Sequence, residues 1–341
     1  MRVPMRGRTT VLATVGVLAA STALAGCGGG GGGSSSADSK TVTIWTSVDQ
    51  PIVDGFKKVL VPEAKAKGIT VKIQKVENIN QLIIAKLQAN DAPDIAMVPQ
   101  PGVVAAIVKR HKAFPLDDVV DTASLKSNMF NGALDAGTID GKVYGLLVSS
   151  SVKSLVFYPK KAWDKAGYQA PTSLAELQTL SDKIAASGTT PWCFGIGSDA
   201  ATGWPATDWM EDLVMRDGSV QDYQDWVSHK LKFSSAPVEK AAADFQKLVL
   251  NDKNVYGGVK SVASTGFGDA PAPMFQAKPK CFMLKQGTFI STFFPKSAGG
   301  GGGNGNTDAK LLDANVGTFP FPRRPRARRT PCWARATWPP C

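Results

Sequence analysis

The sequence predicts an α/β protein built from alternating strands and helices. Two observations carry this prediction. Segments with the two-residue alternation of strands, beginning with Thr41-Val42-Thr43-Ile44-Trp45, are followed by segments with the three-to-four-residue spacing of helices. The body of the 341-residue chain, from about Lys40 to Pro322, is also long enough for two modest domains with separate cores.

The first part of the body predicts a parallel, doubly wound sheet. Its elements alternate as such a sheet requires: strand 41–45, helix 54–67, strand 69–73, helix from about 80 to 90, and strand 95–98. Ligands of these sheets bind beyond the carboxyl ends of the strands. Ser47 follows the first strand and Gln100 follows the third, so both are expected at that edge, either as ligand contacts or equally as loop caps.

A crossing of the chain between two lobes is predicted next. Residues 141–148 have the pattern of a strand, and residues 149–158 form a second extended stretch. We therefore expect a first lobe at 41–148 and a second lobe at 149–322. Early in the second lobe a capping box, formed by Ser173 and Glu176, starts a helix whose apolar face carries Leu174, Leu177, Leu180 and Ile184.

The segment 203–212, G-W-P-A-T-D-W-M-E-D, places two indoles and a carboxylate close together. If Pro205 opens a helix, Trp204 lies at its beginning and Asp208 lies about one turn further on. An indole face can cover the apolar C–H side of a sugar ring, while a carboxylate accepts hydrogen bonds from hydroxyls. The segment therefore suits a neutral, hydroxyl-rich ligand. The alternative is an amphipathic helix with a tryptophan core stripe and a solvated acidic face.

The N-terminal residues 1–26 are predicted to be a secretory signal peptide. Three arginines precede a short apolar run that ends in Leu24-Ala25-Gly26-Cys27. These four residues resemble a bacterial lipobox, which implies cleavage before Cys27 and lipid attachment to its sulfur. Ordinary signal cleavage that leaves a spare thiol is the alternative. Residues 27–40, rich in Gly and Ser, are expected to tether the body to the outer face of the membrane.

Residues 323–341 form a basic tail without Val, Ile, Leu or Phe. The tail carries +6 of the formal net charge of +11, and residues 1–26 carry a further +3, which leaves +2 for the body. The high pI therefore says nothing about the folded part, for which we expect no nucleic-acid partner. A basic tail can bind nucleic acid or anionic lipid. We interpret the tail as an aberrant segment, translated out of frame from GC-rich DNA.

Several motifs occur in an order that resembles ABC-transporter carbohydrate-binding lipoproteins. After the lipobox they are T-V-T-I-W, A-P-D-I, G-K-V-Y-G-L, K-S-L-V-F-Y-P-K, P-T-S-L-A-E-L, P-W-C-F-G, G-W-P-A-T-D-W and F-G-D-A-P. Within the extracellular solute-binding protein family 1, the chain is most similar to the alpha-glucoside-binding branch, over most of residues 41–322. G-W-P-A-T-D-W together with F-G-D-A-P is the most specific part of the match.

The resemblance implies an α/β, two-lobed fold of the periplasmic-binding-protein type II, each lobe a sheet flanked by helices, closing over an oligosaccharide. It implies delivery of that sugar to the permease of an ABC importer, as a monomer and without a cofactor. Family members return to the first lobe after a strand like G-T-F-P-F-P, so the second pass through that lobe and the final helices are expected to be missing. The implied ligand residues are Trp204, Asp208, Trp209 and Asp269, with Phe267, Lys153, Ser47 and Gln100 as weaker candidates.

Cys193 and Cys281 are the only cysteines inside the body. A pair of cysteines outside the cytoplasm is usually bonded, so we expect a disulfide. The two residues are 88 positions apart, for which the chain-entropy relation gives a stabilisation of roughly 4 kcal/mol. Two buried free thiols are the alternative.

The sequence offers little support for catalysis. Its two histidines, His111 and His229, have no Cys or carboxylate at metal-ligand spacing, and no G-x-S-x-G motif occurs. The enzyme class that stays open is a glycosidase, which needs two carboxylates facing each other across the scissile bond. A third class is a cell-surface binding protein without a transport role. The carboxylates available to a glycosidase are Asp208, Glu211, Asp212 and Asp269.

Overall fold

A computed structural model of the chain describes residues 40–48, 50–130, 132–303 and 306–323. The predicted signal peptide, Cys27 with its tether as far as residue 39, and the basic tail beyond Arg323 lie outside these ranges. Among the residues described, no helix is both long enough and apolar enough to span a bilayer.

The N-terminal region, residues 41–148, contains the predicted parallel sheet. Its strands are β1 (Thr41–Thr46), β2 (Thr70–Lys75) and β3 (Ile95–Met97), in the order β2-β1-β3. Ile44 of β1 pairs with Ile73 on one side and with Ile95 on the other. The predicted alternation of strands and helices is confirmed here. The intervening helices are α1 (Gln50–Ala66), α2 (Ile79–Gln88) and α3 (Pro101–Val108).

The core of this region is small. Val76, Ile79 and Ile83 are buried against one another, and Ile79 and Ile83 lie one turn apart on α2. Partly buried side chains from β1, β3 and α3 surround these three residues. Large apolar side chains nearby stay accessible, including Val59 on α1, with 65% of its surface exposed, and Phe114, with 88% exposed.

The stretch that leads out of this region differs from the prediction. After α4 (Thr122–Asn128) the chain forms only a two-stranded antiparallel ladder, β4 (Thr138–Ile139) with β5 (Lys142–Val143). The expected strand 141–148 therefore ends at Val143. The amides of Tyr144 and Gly145 donate to the carbonyl of Gly137 instead of entering a sheet. This approach is so close that a Cβ on Gly137 would meet the Gly145 carbonyl oxygen at 2.0 Å.

No helix or strand occurs between Val143 and Leu155. The predicted boundary between the lobes, at residues 148 and 149, falls within this irregular stretch. The division into two lobes itself stays a prediction.

The C-terminal region is built on a four-stranded mixed sheet with the order β7-β8-β6-β9. The strands are β6 (Leu155–Pro159), β7 (Thr190–Trp192), β8 (Cys281–Gln286) and β9 (Val316–Pro320). β6 runs antiparallel to both β8 and β9, whereas β7 runs parallel to β8. The helices are α5 (Lys160–Lys165), α6 (Leu174–Ala186), α7 (Trp204–Asp217), α8 (Val220–Val227), α9 (Ala236–Leu248) and α10 (Ala309–Asn315).

The start of α6 shows the predicted capping box in a shifted form. Ser173 Oγ accepts a hydrogen bond from the amide of Glu176 at 3.1 Å, as expected. The Glu176 carboxylate, however, accepts from the amide and hydroxyl of Thr172, one residue before the position that the box requires. The Glu176 carboxylate therefore satisfies the backbone amide of Thr172, just before the helix. The four predicted apolar residues of α6 are all buried.

The predicted disulfide between Cys193 and Cys281 is present. It joins the residue that follows β7 to the first residue of β8, and both cysteines are buried. Its neighbours in the core are Phe157, Met274 and Phe294. The bond therefore closes an 88-residue separation that contains α7, α8 and α9.

Removing this bond is expected to lower the free energy of unfolding by about 2–5 kcal/mol, because the unfolded chain gains the freedom of a long loop. The test is chemical denaturation of the Cys193→Ala/Cys281→Ala double variant against the oxidised parent. Adding a reductant to the parent should lower its stability, whereas it should leave the double variant unchanged. Equal stability of the parent and the double variant would show that the loop closure contributes nothing.

Candidate functional site

The candidate site begins at the N-terminus of α7. Gly203 precedes the helix with a φ of 112°, a backbone conformation that favours glycine, and its amide donates to the carbonyl of Ile196. Trp204 is the first residue of α7 and Pro205 is the second, as the sequence predicted. Asp208 follows one turn later on the same face as Trp204.

Four half-buried aromatic side chains, which we call the aromatic cluster, meet at this helix end. The Trp204 ring lies 5.0 Å from the Phe267 ring and 5.8 Å from the Phe289 ring, measured between centroids. Phe293 joins the cluster 5.0 Å from Phe267. Gly268 permits this packing, because a Cβ there would come within 2.5 Å of the Phe293 ring. The cluster thus combines α7 with two segments that lie 60–90 residues further along the chain.

Lys153 connects the aromatic cluster to a carboxylate. Its Nζ lies 2.5 Å from Asp208 Oδ2, 5.0 Å from the centre of the Trp204 ring and 5.7 Å from the centre of the Phe289 ring. The Lys153 side chain is 48% exposed and that of Asp208 is 22% exposed, so the pair remains accessible. Four of the predicted residues, Trp204, Phe267, Lys153 and Asp208, are therefore neighbours.

Trp209 is placed differently from the expectation. Its indole is 1% exposed and packs against Trp192, Phe245 and Phe321, with ring centroids 5.1–5.5 Å apart. A side chain enclosed in this way has no face to offer a ligand. For Trp209 the structure therefore favours the alternative of a core residue, and we leave it out of the proposed site.

The remaining candidates do not join the aromatic cluster. Asp269 is exposed in a tight turn just after Phe267, where its amide donates to the Gly266 carbonyl. Gln100 is the N-cap residue of α3, and its Oε1 accepts from Asn80 Nδ2 at 2.7 Å. Ser47 lies half-buried just beyond β1. Their roles in binding stay predictions.

Sequence reasoning missed Phe289 and Phe293 as residues of the aromatic cluster. Both phenylalanines lie in the 3-10 turn Thr288–Phe293, in a segment whose apolar composition predicts ordinary core. Two phenylalanines within five residues were the available signal, although their spacing does not place them on one face of a 3-10 turn. Lys285 was missed as a site neighbour because nothing local in the sequence connects it to Lys153, whereas Glu211 had been named only as a carboxylate available to a glycosidase.

A small cavity of about 110 Å³, lined mainly by charged and polar residues, lies beside the Lys153–Asp208 pair. Glu211, half-buried on α7, accepts a hydrogen bond from the Tyr223 hydroxyl at 3.3 Å. Burial, and then the negative charge of Asp208, raise the pKa of the Glu211 carboxyl. Burial and Glu211 in turn raise the pKa of Tyr223 to about 12. The cavity is lined by Lys153, Ser154, Asp208, Glu211, Asp212, Met215, Lys285 and Gln286.

The arrangement suits recognition of a hydroxyl-rich molecule. The aromatic cluster offers apolar ring surface, the Lys153 ammonium donates hydrogen bonds and the Asp208 carboxylate accepts them. Within the described ranges, no group of three or more His, Cys, Asp or Glu side chains is placed to hold a metal ion.

The family model for bacterial extracellular solute-binding proteins matches residues 53–280. The chain belongs to this family. Membership places it outside the cytoplasm and confirms the resemblance to solute-binding proteins that the motifs indicated.

Two relatives are named as binding proteins, for different ligands. The alpha-glucosides-binding periplasmic protein AglE of Rhizobium meliloti is 38% identical over 266 residues, which are 75% of this chain and 57% of AglE. The osmoprotective compounds-binding protein GgtB of Synechocystis is 34% identical over 285 residues, 84% of this chain and 65% of GgtB. The chain thus spans about three-fifths of the length of these relatives.

Solved structures of solute-binding proteins share the fold. A chitin oligosaccharide binding protein superposes with a TM-score of 0.66 at 21% identity, covering 83% of this chain and 68% of that protein. The Thermus thermophilus maltotriose binding protein gives a TM-score of 0.54 at 19% identity, covering 84% and 68%. At these identities the likeness establishes the architecture, and the predicted fold class is confirmed.

The raised pKa of Glu211 predicts a specific pH dependence of stability. Because the folded chain binds this proton more tightly than the unfolded chain, the group contributes stability below its ordinary pKa of 4.5, and this contribution is lost as the pH rises through the raised value. Glu211→Gln should therefore stabilise the protein at about pH 7 relative to the parent, and much less at about pH 4.

Urea denaturation across this pH range tests the prediction. The exposed Glu63→Gln on α1 is the matched control for replacing a carboxylate by an amide. A Glu211→Gln difference that varies with pH no more than the Glu63→Gln difference would contradict the raised pKa.

Proposed function

We propose that the chain is the sugar-binding receptor of an ABC importer, which captures a neutral, glucose-containing oligosaccharide between two lobes. The observation that carries this proposal is the Trp204 ring at the start of α7, beside the accessible Lys153–Asp208 pair. Phe289 and Phe267 support the Trp204 ring from the side. The C-terminal region would supply these contacts, and Ser47 and Gln100 would face the ligand from the N-terminal region.

The chemistry of the site favours a neutral polyol over a charged ligand. Lys153 and Asp208 neutralise each other at 2.5 Å, so an ionic ligand would have to compete with an existing ion pair. A sugar hydroxyl, in contrast, both donates and accepts, and can bond to the ammonium and the carboxylate together. The indole face meanwhile can cover the apolar side of a pyranose ring.

The described relatives support this choice of ligand class. AglE is named for binding alpha-glucosides, and the Thermus thermophilus structure contains maltotriose. These proteins are described as binding proteins, which supports a receptor rather than an enzyme. The proposed partners of the chain are an oligosaccharide and the permease subunits of the transporter.

The membrane attachment in the proposal is a lipid anchor on Cys27, which would hold a monomeric receptor at the outer face of the cytoplasmic membrane. Ligand binding would shift the lobes toward a closed arrangement. The size of the shift would depend on how much more tightly the ligand binds the closed state than the open state. Mass spectrometry of the exported protein tests the anchor, since lipidated Cys27 would be the first residue of the mature chain.

One observation favours a second candidate, a glycosidase. Glu211 has a raised pKa and lies one turn from Asp208, and a general acid with a neighbouring carboxylate is what glycoside hydrolysis uses. Incubation with maltose, trehalose or an aryl glucoside separates the two functions. Saturable binding without product supports the receptor, whereas steady product release that Glu211→Gln abolishes supports the enzyme. A surface protein without a small ligand would show no thermal shift with any sugar.

Trp204→Ala is expected to weaken sugar binding by about 1–3 kcal/mol, because the ligand loses aromatic surface to cover. Asp208→Asn should also weaken binding while leaving the melting temperature close to that of the parent, since Asp208 is accessible. Titration calorimetry with maltose and trehalose measures both effects.

Phe233→Ala removes an aromatic ring that is 71% exposed outside the site, and serves as the control with unchanged affinity. Affinity unaffected by Trp204→Ala would remove Trp204 from the site. A collapse of the melting temperature in Asp208→Asn would instead assign Asp208 a structural role.

A further inference from the structure

A buried lysine lies directly beneath the ligand-facing helix. Lys285, on the central strand β8, has a side chain that is 3% exposed. Its Nζ lies 3.1 Å from Asp212 Oδ2 and donates to the main-chain carbonyl of Asp208 at 3.3 Å. The ammonium also lies 4.9 Å from the centre of the Trp209 ring. Burial lowers the pKa of Lys285, while Asp212 opposes the shift.

Arg216 continues this group of charges along α7. Its Nε donates to Asp212 Oδ1 at 2.8 Å, so the Asp212 carboxylate is shared between two cations. The other end of the guanidinium donates from Nη1 to the carbonyl of Pro322 at 3.2 Å. Arg216 therefore connects α7 to the segment that follows β9.

The Phe321 ring lies close to both cations. The Arg216 guanidinium lies 5.0 Å from the centre of its ring and the Lys285 ammonium lies 5.2 Å from it. The amide of Phe321 donates to the carbonyl of Ser154 at 2.7 Å. Ser154 is the neighbour of Lys153 in the segment that enters β6, so the segments entering β6 and leaving β9 meet at this bond.

Stability alone is a poor reason to bury these charges. Replacing a buried ion pair by apolar residues of similar size is often neutral or stabilising, because desolvation offsets the Coulombic attraction. What the charges supply here is geometry: directed bonds to the carbonyls of Asp208 and Pro322, which apolar side chains could not make.

We propose that Lys285, Asp212 and Arg216 are positioning residues that fix the ligand residue Asp208 relative to the segment Phe321–Pro322. Through this connection the ligand-facing end of α7 and the chain leaving β9 move as one body. The statement that Asp208 contacts a ligand rests on the proposed function. The mechanical connection between α7 and the segment Phe321–Pro322 does not.

Arg216→Gln tests the connection most directly. It removes the bond to Pro322 and the contact with Phe321, while Lys285 and Asp212 remain a balanced pair, so the fold is expected to survive. The matched control is Lys160→Gln, which breaks an exposed ion pair of the same i,i+4 type with Asp164 on α5. Arg216→Lys keeps the charge beside Asp212 but loses the guanidinium fork, and should show an intermediate effect.

Amide hydrogen exchange in the purified chain is the first measurement. Exchange of the Phe321 amide should become about tenfold faster in Arg216→Gln. The Cys193 amide, which donates to Met283 between β7 and β8, should exchange as in the parent. Acceleration at both amides would show general destabilisation and overturn the proposal, as would an unchanged rate at Phe321. If Arg216→Gln does not fold, the same comparison is made with Arg216→Lys.

Calorimetric titration with maltose and trehalose is the second measurement. Arg216→Gln should bind whichever sugar the parent binds about tenfold more weakly, while Lys160→Gln binds as the parent does. Equal affinity in Arg216→Gln would overturn the coupling to the ligand. A parent that binds no sugar would overturn the proposed function and that coupling together, while the exchange result would still decide the mechanical connection.

Discussion

The rotation of α7 about its own axis is the constraint on which the site depends, and Trp209 sets it. The Trp209 indole fills the centre of the C-terminal core against Trp192, Phe245 and Phe321. Successive residues of a helix are turned by about 100°. With Trp209 pointing inward, Trp204 and Asp208 face away from that core, toward Lys153 and the other aromatic rings. The burial of the Trp209 indole therefore orients the Trp204 indole toward the candidate site.

Local sequence patterns predicted much of the fold. The strands of the N-terminal sheet and the buried face of α6 follow from spacing alone, and the disulfide follows from cysteine number and compartment. The strand expected at 141–148 ends early because the amides of Tyr144 and Gly145 both donate to the Gly137 carbonyl across a short hairpin, a backbone contact that the side-chain pattern does not record. Contacts with side chains from distant segments, such as Phe289 and Lys285, could not be predicted because local patterns contain no long-range pairing.

The two tryptophans of the G-W-P-A-T-D-W motif lie in different environments, which the motif alone could not predict. Both appeared as ligand candidates because the resemblance treats G-W-P-A-T-D-W as one unit. Helix geometry already separates them, since Trp204 and Asp208 are four residues apart and share a face, whereas Trp209 does not. Family membership established what kind of protein this is. Whether each tryptophan is accessible to a ligand or buried in the core could be decided only from the structure.

The charges along α7 have a kinetic consequence. Asp208, Glu211 and Asp212 are matched in number by Lys153, Arg216 and Lys285, so these six side chains carry no net charge when all are ionised. These side chains therefore neither draw in nor repel an ionic solute over a long range. A neutral solute has no net charge for a field to act on, so its approach would be diffusive and would depend little on ionic strength.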